Sequence, residues 1–151
     1  MTVPTQASPG QEWPDEGGPL DRTPPQDLAA ERAVLGGMML SKDAIAEVLG
    51  APLEPGDFYR PAHETIYRAI LALYADGEPA DPITVSDRLQ VAGDLVRCGG
   101  PSVLHELVNA TPTAANADYY AEIVHDQAVR RRLGESGTRI AGLGYGGQGE
   151  V

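Results

Sequence analysis

Cysteine occurs once in the 151 residues, as Cys98, so no internal disulfide can staple the fold, and a lone thiol suits a reducing compartment. Lysine is as scarce, with Lys42 the sole example. Lys and Arg together number 11 against 22 Asp and Glu, leaving a net charge of −11. A surface of that sign repels phosphate backbones and argues against tight nucleic-acid binding by this segment alone. It serves solubility or, in a sharper reading, a basic protein partner. No apolar run approaches the roughly 20 residues of a membrane span. The acidic, proline-bearing start does not have the form of a signal peptide. These absences lead to the expectation of a soluble, cytoplasmic protein with no membrane contact.

What is abundant is glycine and proline, 18 and 13 residues respectively, weighted toward the two ends. Residues 1–23 carry Pro4, Pro9, Pro14 and Pro19 with few apolar groups, too few to offset their ordering entropy, and are expected to be a disordered acidic tail. Trp13 is either an incidental tail residue or a docking anchor. The folded part is expected to be a globular helical domain over 24–110.

Its most apolar stretch runs from Asp57 to Tyr74. At 100° per residue, Ala62, Ile66, Ala69, Ile70 and Leu73 share a face that His63, Tyr67, Leu71 and Tyr74 widen to roughly 200°. Glu64 and Arg68 stand in the favourable i,i+4 order on the polar edge. Pro61 suits the first helical position and Gly77 the left-handed residue past the end. This pattern predicts the central post of a small all-α bundle. Ahead of it, Thr23-Pro24-Pro25-Gln26 reads as a helix start with Leu28, Leu35, Met38 and Met39 inward. Gly36-Gly37 in that helix signals a close crossing. Ser41 should cap a second helix with Ile45, Val48 and Leu49 buried. Asp81-Pro82 repeats the cap-plus-proline start, with Val85 and Leu89 inward. Leu95-Val96 reads as a brief extended turn, and Pro101 opens a short helix burying Leu104, Leu107 and Val108.

The last long helix is expected over 111–143, its regular part from about Ala114 to Ala141. Ala117, Ala121, Val124 and Ala128 fall within about 60° of one another, a small-residue face that allows close approach. Tyr119, Ile123, Leu133, Gly137, Ile140 and Ala141 lie opposite. One apolar face can pack on the domain itself. The other needs a cover, either another helix of the same chain or a second subunit. Tyr119, Ile123, Arg130, Leu133 and Ile140 are the candidate interface residues. From Gly142 the glycines read as a turn, with a linker at 144–151, which suggests the front piece of something longer.

Little here speaks for catalysis. His63-Glu64-Thr65-Ile66-Tyr67 approaches a zinc-protease helix, but tyrosine stands where the second imidazole is needed. His63 at the rim of an apolar arc is better read as a hydrogen-bonded core histidine. Cys98 with His105 is a thiol and base with nothing nearby to orient them. No Gly-x-x-x-x-Gly-Lys-Ser/Thr loop is present to cradle phosphate. No carboxylate pair stands apart from the acidic background. Arg130-Arg131-Arg132 reads as a solvated patch or as a match for a partner's acidic groups. No catalytic, cofactor or metal residue is expected, and the residue types describe an interaction domain.

The order of features resembles one family. Pro25-Gln26-Asp27-Leu28-Ala29-Ala30-Glu31 runs into Val34-Leu35-Gly36-Gly37-Met38-Met39, then Asp57-Phe58-Tyr59, His63, Ile66 and Leu73 follow. Gly77, Asp81-Pro82-Ile83-Thr84-Val85, Gly99-Gly100, Thr111-Pro112-Thr113-Ala114-Ala115-Asn116 and Tyr120-Ala121-Glu122-Ile123-Val124 complete it. Over about 24–143 the chain resembles the N-terminal domain of the bacterial replicative DNA helicase, the DnaB family. The resemblance implies a globular helical part followed by a helical hairpin, of which the last helix is the first arm. It further implies hairpins paired between subunits in a hexamer collar where a DnaG-type primase docks. ATP, Mg²⁺ and DNA belong, by the same resemblance, to a C-terminal motor that this sequence does not contain. A free-standing acidic adaptor for a basic protein is the rival reading, and a small hydrolase using His63 and Glu64 a third.

Overall fold

In the computed structural model, which describes residues 23–146, all regular structure is helical. The expected tail, including Trp13, and the end of the glycine-rich segment at 147–151 lie outside the described residues. The order is α1 (Leu28–Leu40), α2 (Lys42–Leu49), a 3-10 turn (Pro55–Asp57), α3 (Pro61–Ala75), α4 (Pro82–Ala92), α5 (Pro101–Asn109) and α6 (Ala117–Gly146).

The post of the bundle is α1, not α3. Every residue from Ala33 to Met39 is buried, so α1 is enclosed around its whole circumference. It packs against α2, α3, α5 and α6, whereas α3 meets α1, α4 and the 3-10 turn and forms a wall. The reason lies in side-chain size. Ala33, Gly36 and Gly37 let neighbours approach α1 from sides that the larger residues of α3 keep at a distance. A Cβ built on Gly36 would collide with the Thr111 hydroxyl and the Leu107 carbonyl, and one on Gly37 would stand 3.3 Å from the Ala117 Cβ. The crossing expected at Gly36-Gly37 is present, with α5 and α6 as the partners.

Local signals place most boundaries. The Asp81 carboxylate accepts from the Ile83 and Thr84 amides at 2.9 Å, and the Thr84 hydroxyl accepts from the Asp81 amide. This capping box starts α4 just before Pro82. Pro61 opens α3, and Gly77 at φ +72° closes it, the Glu78 amide reaching back to the Leu73 carbonyl at 2.9 Å. Glu64 and Arg68 pair at 3.4 Å. Val85, Leu89, Leu104 and Leu107 are buried, and Val108 packs at the edge of the core.

Other boundaries differ from the sequence pattern. Asp27, not Thr23, caps α1, its carboxylate accepting from the Ala30 amide at 2.9 Å. Ser41 precedes α2 without a side-chain cap bond, and Leu49 points to solvent. Leu95 and Val96 belong to a helical turn in which the Cys98 amide bonds the Asp94 carbonyl. α6 begins at Ala117, because the Thr113 hydroxyl takes the Ala115 amide and holds 113–116 in turns. It continues through Gly142 and Gly144 to Gly146, where a turn was expected. Neither glycine adopts positive φ, and a helix already propagating tolerates glycine at about 1 kcal/mol each.

Candidate functional site

α6 is attached over its first half only. Ala117, Ala121, Val124 and Ala128 form its buried face, all at 0–1% exposure, and no described residue after Ala128 is buried. These short side chains bring α6 close against α1, with Ala117 over Gly37. The last attachments are polar and converge on one acid, Asp57, at the end of the 3-10 turn.

The Asp57 side chain is fully buried. Its Oδ2 accepts from the Glu54 amide at 3.0 Å and lies 2.8 Å from His125 Nδ1, while Oδ1 takes a guanidinium N–H of Arg132. Arg131 reaches the other way, donating to the carbonyls of Pro25 and Asp57, both at 2.9 Å. Its guanidinium also lies over the Tyr59 ring at 5.5 Å from the centroid. Burial pushes the Asp57 carboxyl up. Bonds from the Glu54 amide, His125 and Arg132, with the Arg132 charge, outweigh that and hold it below the usual aspartate range. Burial, then the charges of Glu54 and Asp57, raise neighbouring Tyr67 to about 12, so it stays neutral.

A second buried acid supports the first. Glu31 on α1 accepts from the Tyr59 amide at 2.9 Å and the Arg60 amide at 3.4 Å, and its Oε1 lies 2.9 Å from His63 Nδ1. Glu31 thereby holds the segment on which Tyr59 meets Arg131. Among the described residues no buried side-chain nitrogen or oxygen lacks a partner.

Beyond Arg132, α6 projects as an exposed rod. Leu133, Ile140, Leu143 and Tyr145 are all more than half exposed. Of the five residues singled out from the sequence, Tyr119, Arg130, Leu133 and Ile140 lie at the surface. Ile123 packs against the domain's own core, so it is only half available. Arg131 and Arg132 both bind their own chain, Arg132 from a half-exposed position. The acidic background likewise hid two buried carboxylates, Glu31 and Asp57. Leu143 and Tyr145 escaped the sequence reading because the glycines around them suggested a turn.

The other candidate chemistry is absorbed by packing. His63 is the bonded core histidine anticipated, and Glu64 faces outward toward Arg68. Burial and nearby Asp94 push the Cys98 thiol up, its sulfur resting 3.9 Å from the Ala62 carbonyl, which makes it a poor nucleophile. Two open clefts, of about 310 and 350 Å³, flank Glu78, and neither includes any of the five interface candidates. Among the described residues, no group of three His, Cys, Asp or Glu could hold a metal, and no helix is long and apolar enough to cross a membrane.

A small bundle with a helix projecting from it has known counterparts. The family model for the DnaB-like helicase N-terminal domain matches residues 23–126. This chain belongs to that family. A DnaB-family relative, the replicative DNA helicase DnaB of Leifsonia xyli subsp. xyli (strain CTCB07), is 54% identical over 142 residues, covering 94% of this chain and 31% of the relative. The chain thus spans under a third of that helicase. The crystal structure of the N-terminal domain of DnaB helicase from Mycobacterium tuberculosis is similar at a TM-score of 0.79 and 61% identity, over 82% of this chain and 88% of the other. The DnaB N-terminal domain of Helicobacter pylori, described with its interactions with primase, shares the fold at a TM-score of 0.63 and 24% identity, over 78% and 90% of the two chains.

Proposed function

We propose that this chain is the assembly and partner-docking domain of a replicative DNA helicase. The observation that carries the reading is the rod: α6 leaves its own domain after Arg132 with Leu133, Ile140 and Leu143 uncovered. Covering each of these would contribute roughly 1.5–3 kcal/mol, ample to drive association. The cover is a second helical arm or a second copy, and paired rods build the collar of a hexamer. Tyr119 and Arg130 join that interface as a flanking aromatic and a cation. A DnaG-type primase docks on the collar through its own helical domain. ATP, Mg²⁺ and DNA are handled by the part of the longer helicase beyond this segment, which acts in the cytoplasm.

Sedimentation velocity over a concentration series tests the assembly reading. The chain is expected to self-associate, and Leu133→Asp with Ile140→Asp to shift it toward monomer without loss of circular-dichroism signal. A native chain that remains monomeric at high concentration overturns the reading. Pull-down with a primase C-terminal domain separates it from the free-standing acidic adaptor, which predicts no capture.

A further inference from the structure

The buried face of α6 consists of three alanines and a valine, a smooth surface against which a helix can tilt or slide. Apolar contact is non-directional and does not by itself choose among such poses. Hydrogen bonds are directional, and those at the base of the rod straddle that face. His125 and Arg132, two turns or about 10 Å apart along the helix axis, both close on the Asp57 carboxylate from one flank. Arg131 reaches the Pro25 and Asp57 carbonyls from the other flank. Past this point no described residue outside α6 hydrogen-bonds the rod through a side chain. The side-chain bonds of Thr138 and Arg139 stay within α6, and a Cβ on Gly134, Gly137 or Gly142 would meet nothing within 4 Å.

We infer that Asp57 is the positioning residue of the rod: one buried acid, gripping α6 at two points two turns apart, sets the direction in which the helix leaves the bundle. An ion pair whose acid is buried and whose arginine is half exposed is weak as a source of stability but can still select one arrangement among several of similar packing. The lever is long. From Arg132 to Gly146 the rod extends about 21 Å, so a tilt of about 10° moves its tip by about 4 Å. That is enough to misplace the apolar face relative to any partner. The inference concerns geometry within one chain; only its consequence for assembly rests on the function proposed above.

The test is an intramolecular distance measurement by pulsed electron paramagnetic resonance. Spin labels are placed through Val91→Cys on α4 and Arg139→Cys on the rod in a Cys98→Ser background, diluted with an excess of unlabelled chain. The native clamp is expected to give one narrow distribution. Asp57→Asn is expected to broaden it or shift its mean by several ångström, with helical content retained. Should Asp57→Asn fail to fold, Arg132→Met combined with His125→Gln dismantles the α6 side of the clamp and is expected to give the same broadening. Distributions that superimpose on the native one in a folded variant overturn the inference. The same variants are run in sedimentation velocity. A moved distribution with unchanged association leaves Asp57 as the positioning residue and removes the rod from the assembly interface.

Discussion

Glu31 on α1 and His63 on α3, 32 residues apart in sequence, meet at 2.9 Å with both side chains out of water. The same carboxylate takes the amides of Tyr59 and Arg60. Replacing it orphans several donors at once. Glu31→Ala is therefore expected to cost about 3–5 kcal/mol, a large part of the 5–15 kcal/mol of a typical domain. His63→Gln preserves a donor and should cost about 1–2 kcal/mol. Urea denaturation of both variants checks the ordering. Equal and small losses would mean that the network contributes little.

Asp57 predicts an acid response. Its folded pKa is lowered, so its contribution to stability is complete above the ordinary aspartate value of about 3.9 and is lost as pH falls from there through the folded value. Asp57→Asn should lose about 1.5–3 kcal/mol at neutral pH. It should also flatten the decline of native stability as pH falls below about 4. Urea midpoints measured across that window decide the matter; a parallel decline in both proteins would assign the acid limb to other carboxylates.

Two glycine-to-alanine changes should have opposite signs. Gly36→Ala drives a methyl into the Leu107 carbonyl, which is backbone and cannot swing aside, so a loss of about 1–3 kcal/mol is expected. Gly134→Ala meets open space on the rod and should favour the helix by up to about 1 kcal/mol. Thermal melts report the first. Helical content by circular dichroism reports the second, and a decrease there would show that Gly134 is needed for close approach of a partner.

Tyr119 and Ile123 share a side of α6 but should behave differently. Tyr119 is 62% exposed, so Tyr119→Asp is expected to weaken self-association while the melting temperature stays within a few degrees. Ile123 packs against the core, so Ile123→Asp should lower stability by about 2 kcal/mol or more in addition. Sedimentation and melting curves on both variants separate the two effects. Equal melting temperatures would mean that the contact of Ile123 with the core carries no weight.

Signals that act within a turn or two were legible in the chain itself. The cap at Asp81, the proline at the start of α3, left-handed Gly77 and the alanine face of α6 each follow from backbone chemistry or helical period acting over neighbouring residues. The all-helical class and the ordered motif series needed no coordinates. Which helix stands at the centre did depend on them. α3 carries the widest apolar arc, yet α1 is enclosed because its small residues admit neighbours on every side, and that depends on what those neighbours are.

The polar clamp shows the same division more sharply. Asp57 and Glu31 look like any other acids among 22, and Arg131 and Arg132 like an unbonded run, because nothing in a local window records the burial of an acid or the distant bonds of an arginine. Their partners lie 74 and 75 residues away for the arginines on Asp57, and 28 to 32 residues away for the groups on Glu31. The sequence by itself determined the helices, most of their ends and the family. Only the tertiary structure decided which charges leave water, since a charge is buried only where distant groups arrive to bond it, and those arrivals set the direction of α6.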